Sequence, residues 1–259
     1  MAAPASTESP PVVPRRWLVQ EVWIVFALSL GASGVRALLH LLADLTNGQA
    51  LKAQNAVLNG SQAPGRPWLD LALQLTDIAS GLVPVFLVAH LLTRSHESIR
   101  DLGADRTQPR LDALRGTLVA AAVGGTGLAF YLIVHASGAN LTVVPEDLPN
   151  VWWRIPVLIL SAAQNGIAEE VLVLGYLLRR LHQLDWSPPR ALVVAAVVRG
   201  SYHLYQGLGG FAGNLVMGLV FGWWFQRTRR VLPLAVAHVL LDVFAFVGYL
   251  YLRGHISWI

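Results

Sequence analysis

The chain of 259 residues is 54% hydrophobic and only 13% charged, with a mean hydropathy of +0.52, whereas charged residues make up about a quarter of a typical soluble domain. This composition excludes a soluble globular protein and indicates a membrane protein. The net charge of +4 comes from arginines at the ends of apolar runs, a pattern typical of topology signals, and we expect no nucleic-acid partner. The sequence contains no cysteine, which excludes disulfides, thiol nucleophiles and thiolate metal sites.

Apolar runs long enough to cross about 30 Å of hydrocarbon recur along the chain. They predict an all-α, polytopic membrane helix bundle of about seven transmembrane helices around a buried glutamate and histidine site. In chain order, the predicted spans are residues 18–43, 70–93, 114–136, 152–180, 190–204, 211–226 and 231–252. The fifth run is short for a complete span.

The same runs divide the chain into five segments. These are a disordered N-terminal tail at 1–16, N-terminal transmembrane helices at 17–93, a cytoplasmic amphipathic linker at 94–115, a membrane domain that holds the candidate site at 116–252, and a C-terminal tail at 253–259. The division predicts one membrane-embedded unit rather than separate soluble domains.

Arginines decide the predicted orientation. If the spans alternate, the arginine clusters before the first span, in the linker and after residues 178 and 226 all fall on one side of the membrane. Segment 137–151, which has acidic but no basic residues, falls on the other side. Positive loops face the cytoplasm, so we predict an integral protein of the plasma (inner) membrane with a cytoplasmic N-terminus.

Two adjacent glutamates, Glu169 and Glu170, interrupt the fourth apolar run, AQNGIAEEVLVLGYLLRRL. A carboxylate near the middle of a spanning helix costs about 2.5–3.5 kcal/mol on insertion scales, so such residues are expected to face a cavity or a partner. Asn165 lies four residues before Glu169 and therefore on the same helix face. The pair marks a candidate functional site.

Other ionisable residues lie at a similar depth. At about 1.5 Å per residue, Glu169, His203 and Asp242 each fall roughly 16–20 Å from the cytoplasmic ends of three different helices. His238 lies one turn from Asp242 on the same face. Taken alone, each group is compatible with a structural polar contact or a helix end. Their occurrence together favours a site that activates water.

The order and spacing of three motifs resemble the CPBP family of intramembrane proteases, which includes type II CAAX prenyl endopeptidases and bacteriocin-processing, Abi-like immunity proteins. The motifs are EEVLVLG at 169–175, RGSYH at 199–203 and HVLLD at 238–242, and LGAD at 102–105 also looks familiar. The resemblance covers roughly residues 100–245. It implies that segment 116–252 is a CPBP-like catalytic domain.

The resemblance also implies roles for these residues. Glu169 is expected to be the general base on a water shared with His203, and His238 with Asp242 to orient and polarise the scissile carbonyl. Glu170 is expected to tune Glu169, since two neighbouring carboxylates in a low dielectric do not readily both ionise. The substrate is expected to be a peptide or lipidated protein within the lipid bilayer.

A cofactor is not certain from the sequence. Two histidines with carboxylates suit Zn²⁺, and the ligands would then be Glu169, His203 and His238. The compact HExxH arrangement of many zinc proteases is missing, however, so a metal-free water activated by glutamate is an equal alternative.

Two positions depart from the family pattern. Leu174 stands where an arginine is expected after the glutamates, and Arg199 stands where an aromatic residue is expected before His203. We predict that Arg199 reaches across to pair with Glu170, since an unpaired carboxylate would be costly there. The alternatives are an inactive relative that acts as a membrane scaffold or immunity protein and, less favoured because no internal repeat is present, an ion-coupled transporter.

Overall fold

The structure is a computed structural model that describes residues 13–138 and 140–255. Most of the predicted N-terminal tail (1–12) and the end of the predicted C-terminal tail (256–259) lie outside the described residues. Within the described part, eight helices form the fold: α1 Arg15–Ala27, α2 Leu30–Thr46, α3 Pro67–Arg94, α4 Pro109–Ala136, α5 Arg154–Gln183, α6 Pro188–Ser201, α7 Leu208–Thr228 and α8 Leu232–Leu252. The predicted all-α membrane bundle is confirmed.

Short elements join these helices. Single 3-10 turns occur at Leu51–Ala53, Ile99–Leu102 and Leu204–Gln206. Two three-residue strands, β1 Asn55–Val57 and β2 Thr142–Val144, pair in parallel with Asn55 opposite Thr142. The strands connect the loop after α2 with the loop after α4 and form a small cap at one end of the bundle.

The number of spans differs from the predicted seven. Among the described residues, α3, α4, α5, α7 and α8 are each long and apolar enough to cross a membrane, and α1 with α2 adds a sixth if this pair, bent by 48°, counts as one span. Helix α6 has 14 residues, and a helix of that length is only about 21 Å long. It ends at Ser201 and is followed by the 3-10 turn Leu204–Gln206. The run at 190–204 therefore does not form a complete span.

Proline determines where several helices begin. A proline occupies the first turn of α3, α4, α6 and α8. Proline is well tolerated there, because the backbone N–H groups of the first turn have no intrahelical partner and the proline φ already fits a helix. Each of these helices therefore begins within a few residues of the predicted start of its apolar run.

Helix α8 packs between α4 and α5. The approach to α5 is close at Gly166, where an added Cβ would lie 2.7 Å from a Val239 side-chain carbon and 2.9 Å from the Val239 backbone nitrogen. Only a glycine allows the two backbones to come so near each other. This contact places Glu169 and Glu170 of α5 beside His238 of α8.

An ion cluster fixes the basic end of the bundle. Arg230, between α7 and α8, pairs with Asp112 at 2.6 Å and with Asp105 at 3.0 Å. Hydrogen bonds from the Arg230 guanidinium hold the pKa of the Asp105 carboxyl well below its usual range. The cluster ties the predicted linker at 94–115 to the start of α8, the helix that carries the last motif.

Candidate active site

Helix α5 changes its winding at the two glutamates. Residues Arg154–Glu169 are α-helical, residues Glu170–Leu177 are π-helical, and residues Leu178–Gln183 return to the α form. All eight residues of the π-helical segment are buried. π-helical turns are rare and frequently occur at functional sites, and here the change of winding begins between Glu169 and Glu170.

Glu169 faces a cavity. Its side chain is 13% exposed and its Oε2 accepts a hydrogen bond of 2.7 Å from the Tyr202 hydroxyl. The Arg199 guanidinium lies 3.6 Å from the same oxygen. One carboxylate oxygen is therefore held in place, while the side chain remains in contact with the cavity.

Glu170 points into the protein and is completely buried. Its Oε1 accepts a hydrogen bond of 2.7 Å from Nη1 of Arg199, which is also completely buried. The predicted pairing of Arg199 on α6 with Glu170 on α5 is thereby confirmed. The same Oε1 lies 2.7 Å from Nδ1 of His238, so Glu170 joins α5, α6 and α8 in one contact.

The contact with Glu170 determines how the His238 ring is used. Nδ1 lies 2.7 Å from the Glu170 carboxylate, which can only accept, so we assign the Nδ1 proton to this bond. Nη2 of Arg199 lies 3.0 Å from Nδ1 but has no lone pair to accept from it. The other ring nitrogen, Nε2, lies between Asp242 Oδ1 at 3.8 Å and Glu169 Oε2 at 4.0 Å.

His203 follows the same pattern. It lies two residues after the end of α6, where its Nδ1 is 3.0 Å from the backbone carbonyl oxygen of Arg199. A carbonyl accepts only, so Nδ1 donates and Nε2 keeps its lone pair. Both histidines are thus held through Nδ1 and leave Nε2 for another partner.

The cavity that these residues share has a volume of about 650 Å³. Its lining includes Asn165, Glu169, Tyr202, His203, His238 and Asp242, together with residues from α2, α3 and the loop after β1. Glu170 and Arg199 do not line it. The site therefore consists of a cavity-facing set and, behind it, a buried ion pair that positions His238.

The fold brings the ionisable side chains that were predicted to share one depth to a single cavity, although they come from three different parts of the chain. Asn165 lies at the limit of hydrogen bonding, 3.5 Å from Asp242. The catalytic roles of all these residues stay predictions. The geometry adds that Glu170 contacts Arg199 and His238, while Glu169 takes its hydrogen bond from Tyr202.

The sequence profile of the family described as "Type II CAAX prenyl endopeptidase Rce1-like" matches residues 151–244, which hold every residue of this cluster. This match covers less than half of the chain and supports membership of the CPBP family. No curated protein and no solved structure shows significant similarity to the chain.

The departure of this chain from the CPBP pattern has a structural counterpart. Leu174 is completely buried among apolar side chains, and the cation beside Glu170 comes instead from Arg199. Gly218 of α7 makes room for it, because an added Cβ would lie 3.2 Å from Cδ of Arg199. The guanidinium also lies 5.4 Å from the Phe221 ring centre, within the range of a cation–π contact.

The types of side chain in this site suit Zn²⁺, but their arrangement does not. Two neutral imidazole nitrogens and a carboxylate are ligands that Zn²⁺ accepts. Within residues 13–138 and 140–255, however, no group of three or more His, Cys, Asp or Glu side chains lies close enough together to hold a metal ion. Glu169, His203 and His238 as zinc ligands stay a prediction.

Tyr202 was not singled out by the sequence, although it lies next to His203 in the second motif. Its hydroxyl holds Glu169, and its ring lies 4.7 Å from the His203 ring. A tyrosine in a motif near the end of a membrane helix is readily explained as an interfacial residue. Only the fold shows that its hydroxyl points at the carboxylate.

Proposed function

We propose that the protein is an intramembrane endopeptidase that hydrolyses a peptide bond of a membrane-associated protein or peptide, as its CAAX-protease-like family suggests. The observation that carries the proposal is the cavity-facing set: a glutamate held by one oxygen, beside two histidines whose Nε2 atoms are left for another partner. Water activation needs a base and groups that stabilise the developing oxyanion.

The first step is attack by water. Glu169 takes a proton from a water molecule that Nε2 of His203 also orients, and the hydroxide oxygen bonds to the carbonyl carbon of the substrate. Tyr202 keeps the carboxylate in place during this transfer. The carbonyl oxygen gains the electron pair of its π bond and becomes the oxyanion.

His238 then stabilises the intermediate. In its imidazolium form the ring donates from Nε2 to the oxyanion, while its Nδ1 proton stays with Glu170. Asp242, 3.8 Å from Nε2, orients the ring from the cavity side. When the intermediate collapses, the C–N bond breaks, the proton held by Glu169 passes to the leaving amine, and Glu169 is again ionised.

The hypothesis of an inactive relative depends on Leu174, because the loss of an arginine weakens the first motif. Arg199 restores a cation 2.7 Å from Glu170, so the loss is compensated from another helix. This compensation favours a working peptidase over a scaffold.

The test is cleavage of a quenched-fluorescent peptide library by the detergent-purified protein. We expect wild type to cleave a subset of the peptides and His238→Ala to lose activity at least about a hundredfold, since removal of one oxyanion-stabilising donor typically costs that much.

Each protein is assayed with and without a zinc chelator. Retained activity with the chelator supports the residue-only mechanism, whereas loss that added Zn²⁺ restores would contradict it. No cleavage by a correctly folded wild type would favour the inactive relative.

The side from which substrate enters is predicted by the position of the cavity. Its lining reaches Leu58 and Asn59, and the Leu58 backbone is hydrogen-bonded to Val144 of β2. It thus extends to the end of the bundle that carries the acidic segment 137–151. With arginine-rich loops in the cytoplasm, this end faces away from the cytoplasm.

Single-cysteine labelling tests this orientation, because the natural chain has no cysteine. We expect a membrane-impermeant thiol reagent added to intact cells to label Asn150→Cys but not Ser187→Cys, although both positions are exposed, in the loops before α5 and α6. After the cells are lysed, both variants should react. The opposite pattern in intact cells would invert the topology and place the cavity entrance in the cytoplasm.

A further inference from the structure

A second cavity lies beside the catalytic one. It has a volume of about 370 Å³ and lies next to β1, whose residues Asn55–Val57 line it. Four residues line both cavities: Ser33, Arg36, Tyr202 and Tyr205. A molecule in the catalytic cavity can therefore extend into the second one past these side chains.

One face of α2 supplies much of the second cavity. Ser33, Arg36, His40 and Asp44 all line it, and their spacing of three or four residues places them along one side of a helix. The opposite side carries exposed apolar residues that suit lipid: Val35, Leu38, Leu39, Leu42 and Leu45. Helix α2 thus presents a polar stripe to the second cavity and an apolar stripe on its opposite side.

Arg36 is the unusual member of the stripe. Among the residues that the structure describes, it makes no ion pair and no side-chain hydrogen bond, and it is the sole arginine or lysine lining either cavity. Asp44 and Asp77 also line the cavities, yet neither lies within ion-pair distance of it. The Arg36 side chain is also exposed, so a charged group that enters the cavities can reach its guanidinium.

We infer that Arg36 binds a carboxylate of the peptide substrate and thereby sets which peptides are cleaved. This inference rests on the proposed function, because the two cavities share lining residues and one peptide would occupy both. The planar guanidinium matches a carboxylate through two parallel hydrogen bonds. The carboxylate is the C-terminus of the peptide or an acidic side chain on one side of the bond that is cleaved.

The kinetic experiment uses one cleaved peptide in three forms: the free acid, the C-terminal amide, and a form with its acidic side chains replaced by amides. In wild type, we expect one neutralised form to have a KM about tenfold or more above that of the free acid, with little change in kcat, since a charged hydrogen bond is typically worth that much. The neutralised form whose KM rises identifies the source of the carboxylate.

Arg36 variants connect this preference to the side chain. Arg36→Gln should raise the KM of the charged peptide to the value of its neutral form and remove the difference between them, and Arg36→Lys should recover part of it. Arg66→Gln is the matched control, because Arg66 is exposed and lines neither cavity.

Equal KM values for all three peptides in wild type would overturn the inference. So would an equal loss for charged and neutral peptides in Arg36→Gln, which would indicate a lipid headgroup or a structural role.

A binding measurement separates this inference from the proposed function. A fluorescein-labelled apolar decapeptide, as acid and as amide, is titrated with the Glu169→Gln protein and followed by anisotropy. Tighter binding of the acid that Arg36→Gln abolishes supports the carboxylate site even if no peptide is ever cleaved. Cleavage by wild type without any acid preference in binding or kinetics leaves the peptidase standing and removes the role of Arg36.

Discussion

Glu169→Gln should lower the kcat/KM of peptide cleavage by about a hundred- to ten-thousandfold, the usual contribution of a general base. Glutamine has nearly the same shape, and its amide oxygen still accepts the hydrogen bond from Tyr202, but it cannot take a proton from water. The substitution therefore removes the base and leaves the cavity. The measurement is the initial rate on the best library peptide, at equal amounts of folded protein.

Two further variants make this expectation specific. Tyr202→Phe removes only the hydroxyl that holds Glu169 Oε2, so we expect a smaller loss, about tenfold, in kcat. Glu21→Gln is the matched control, since Glu21 lies outside the cavity and its contact with Arg180 is long, at 3.4 Å. A Glu169→Gln protein that cleaves at the wild-type rate would assign the base to another residue, with Asp242 the next candidate in the cavity.

The sequence predicts the composition of the site because depth along a membrane helix is easily counted. A rise of about 1.5 Å per residue brings Glu169, His203 and Asp242 to one layer, and hydropathy restricts the places where carboxylates are tolerated. The pairing of Arg199 with Glu170 follows from the cost of a buried carboxylate together with the family resemblance, which expects an arginine where Leu174 stands.

Details that depend on helix rotation are not predictable in this way. Glu170 contacts α6 and α8 from the start of the π-helical segment Glu170–Leu177. The apolar sequence of this segment does not predict a change from α- to π-helix. The hydrogen bond from Tyr202 depends on where α6 ends. The polar stripe of α2 is visible in the sequence at a spacing of three and four residues, but its importance emerges only once two adjoining cavities are seen to share Arg36.

The ion pair behind the site should be essential to the fold. Arg199→Met removes the cation and leaves Glu170 completely buried without it, and breaking a buried pair from one side typically costs about 3–5 kcal/mol. We expect a clear fall in the Tm of the purified protein and a loss of peptide cleavage, because Arg199 no longer holds the Glu170 carboxylate that bonds Nδ1 of His238. Arg190→Met is the matched control on the same helix, where the arginine is exposed and stacks on Trp186.

A double variant separates the effect of the Arg199–Glu170 charge pairing on stability from the effect of Arg199 side-chain packing. When Arg199→Met is combined with Glu170→Gln, no uncompensated charge is buried, and the amide oxygen introduced at position 170 still accepts from Nδ1 of His238. We therefore expect the Tm of the double variant to lie well above that of Arg199→Met alone, and part of the peptide cleavage to return. If the double variant is as unstable as the sum of the two single variants, Arg199 stabilises the protein by packing against Phe221 rather than by pairing with Glu170. Recovery would instead show that an arginine on α6 has taken over the electrostatic role that the family pattern gives to the position of Leu174.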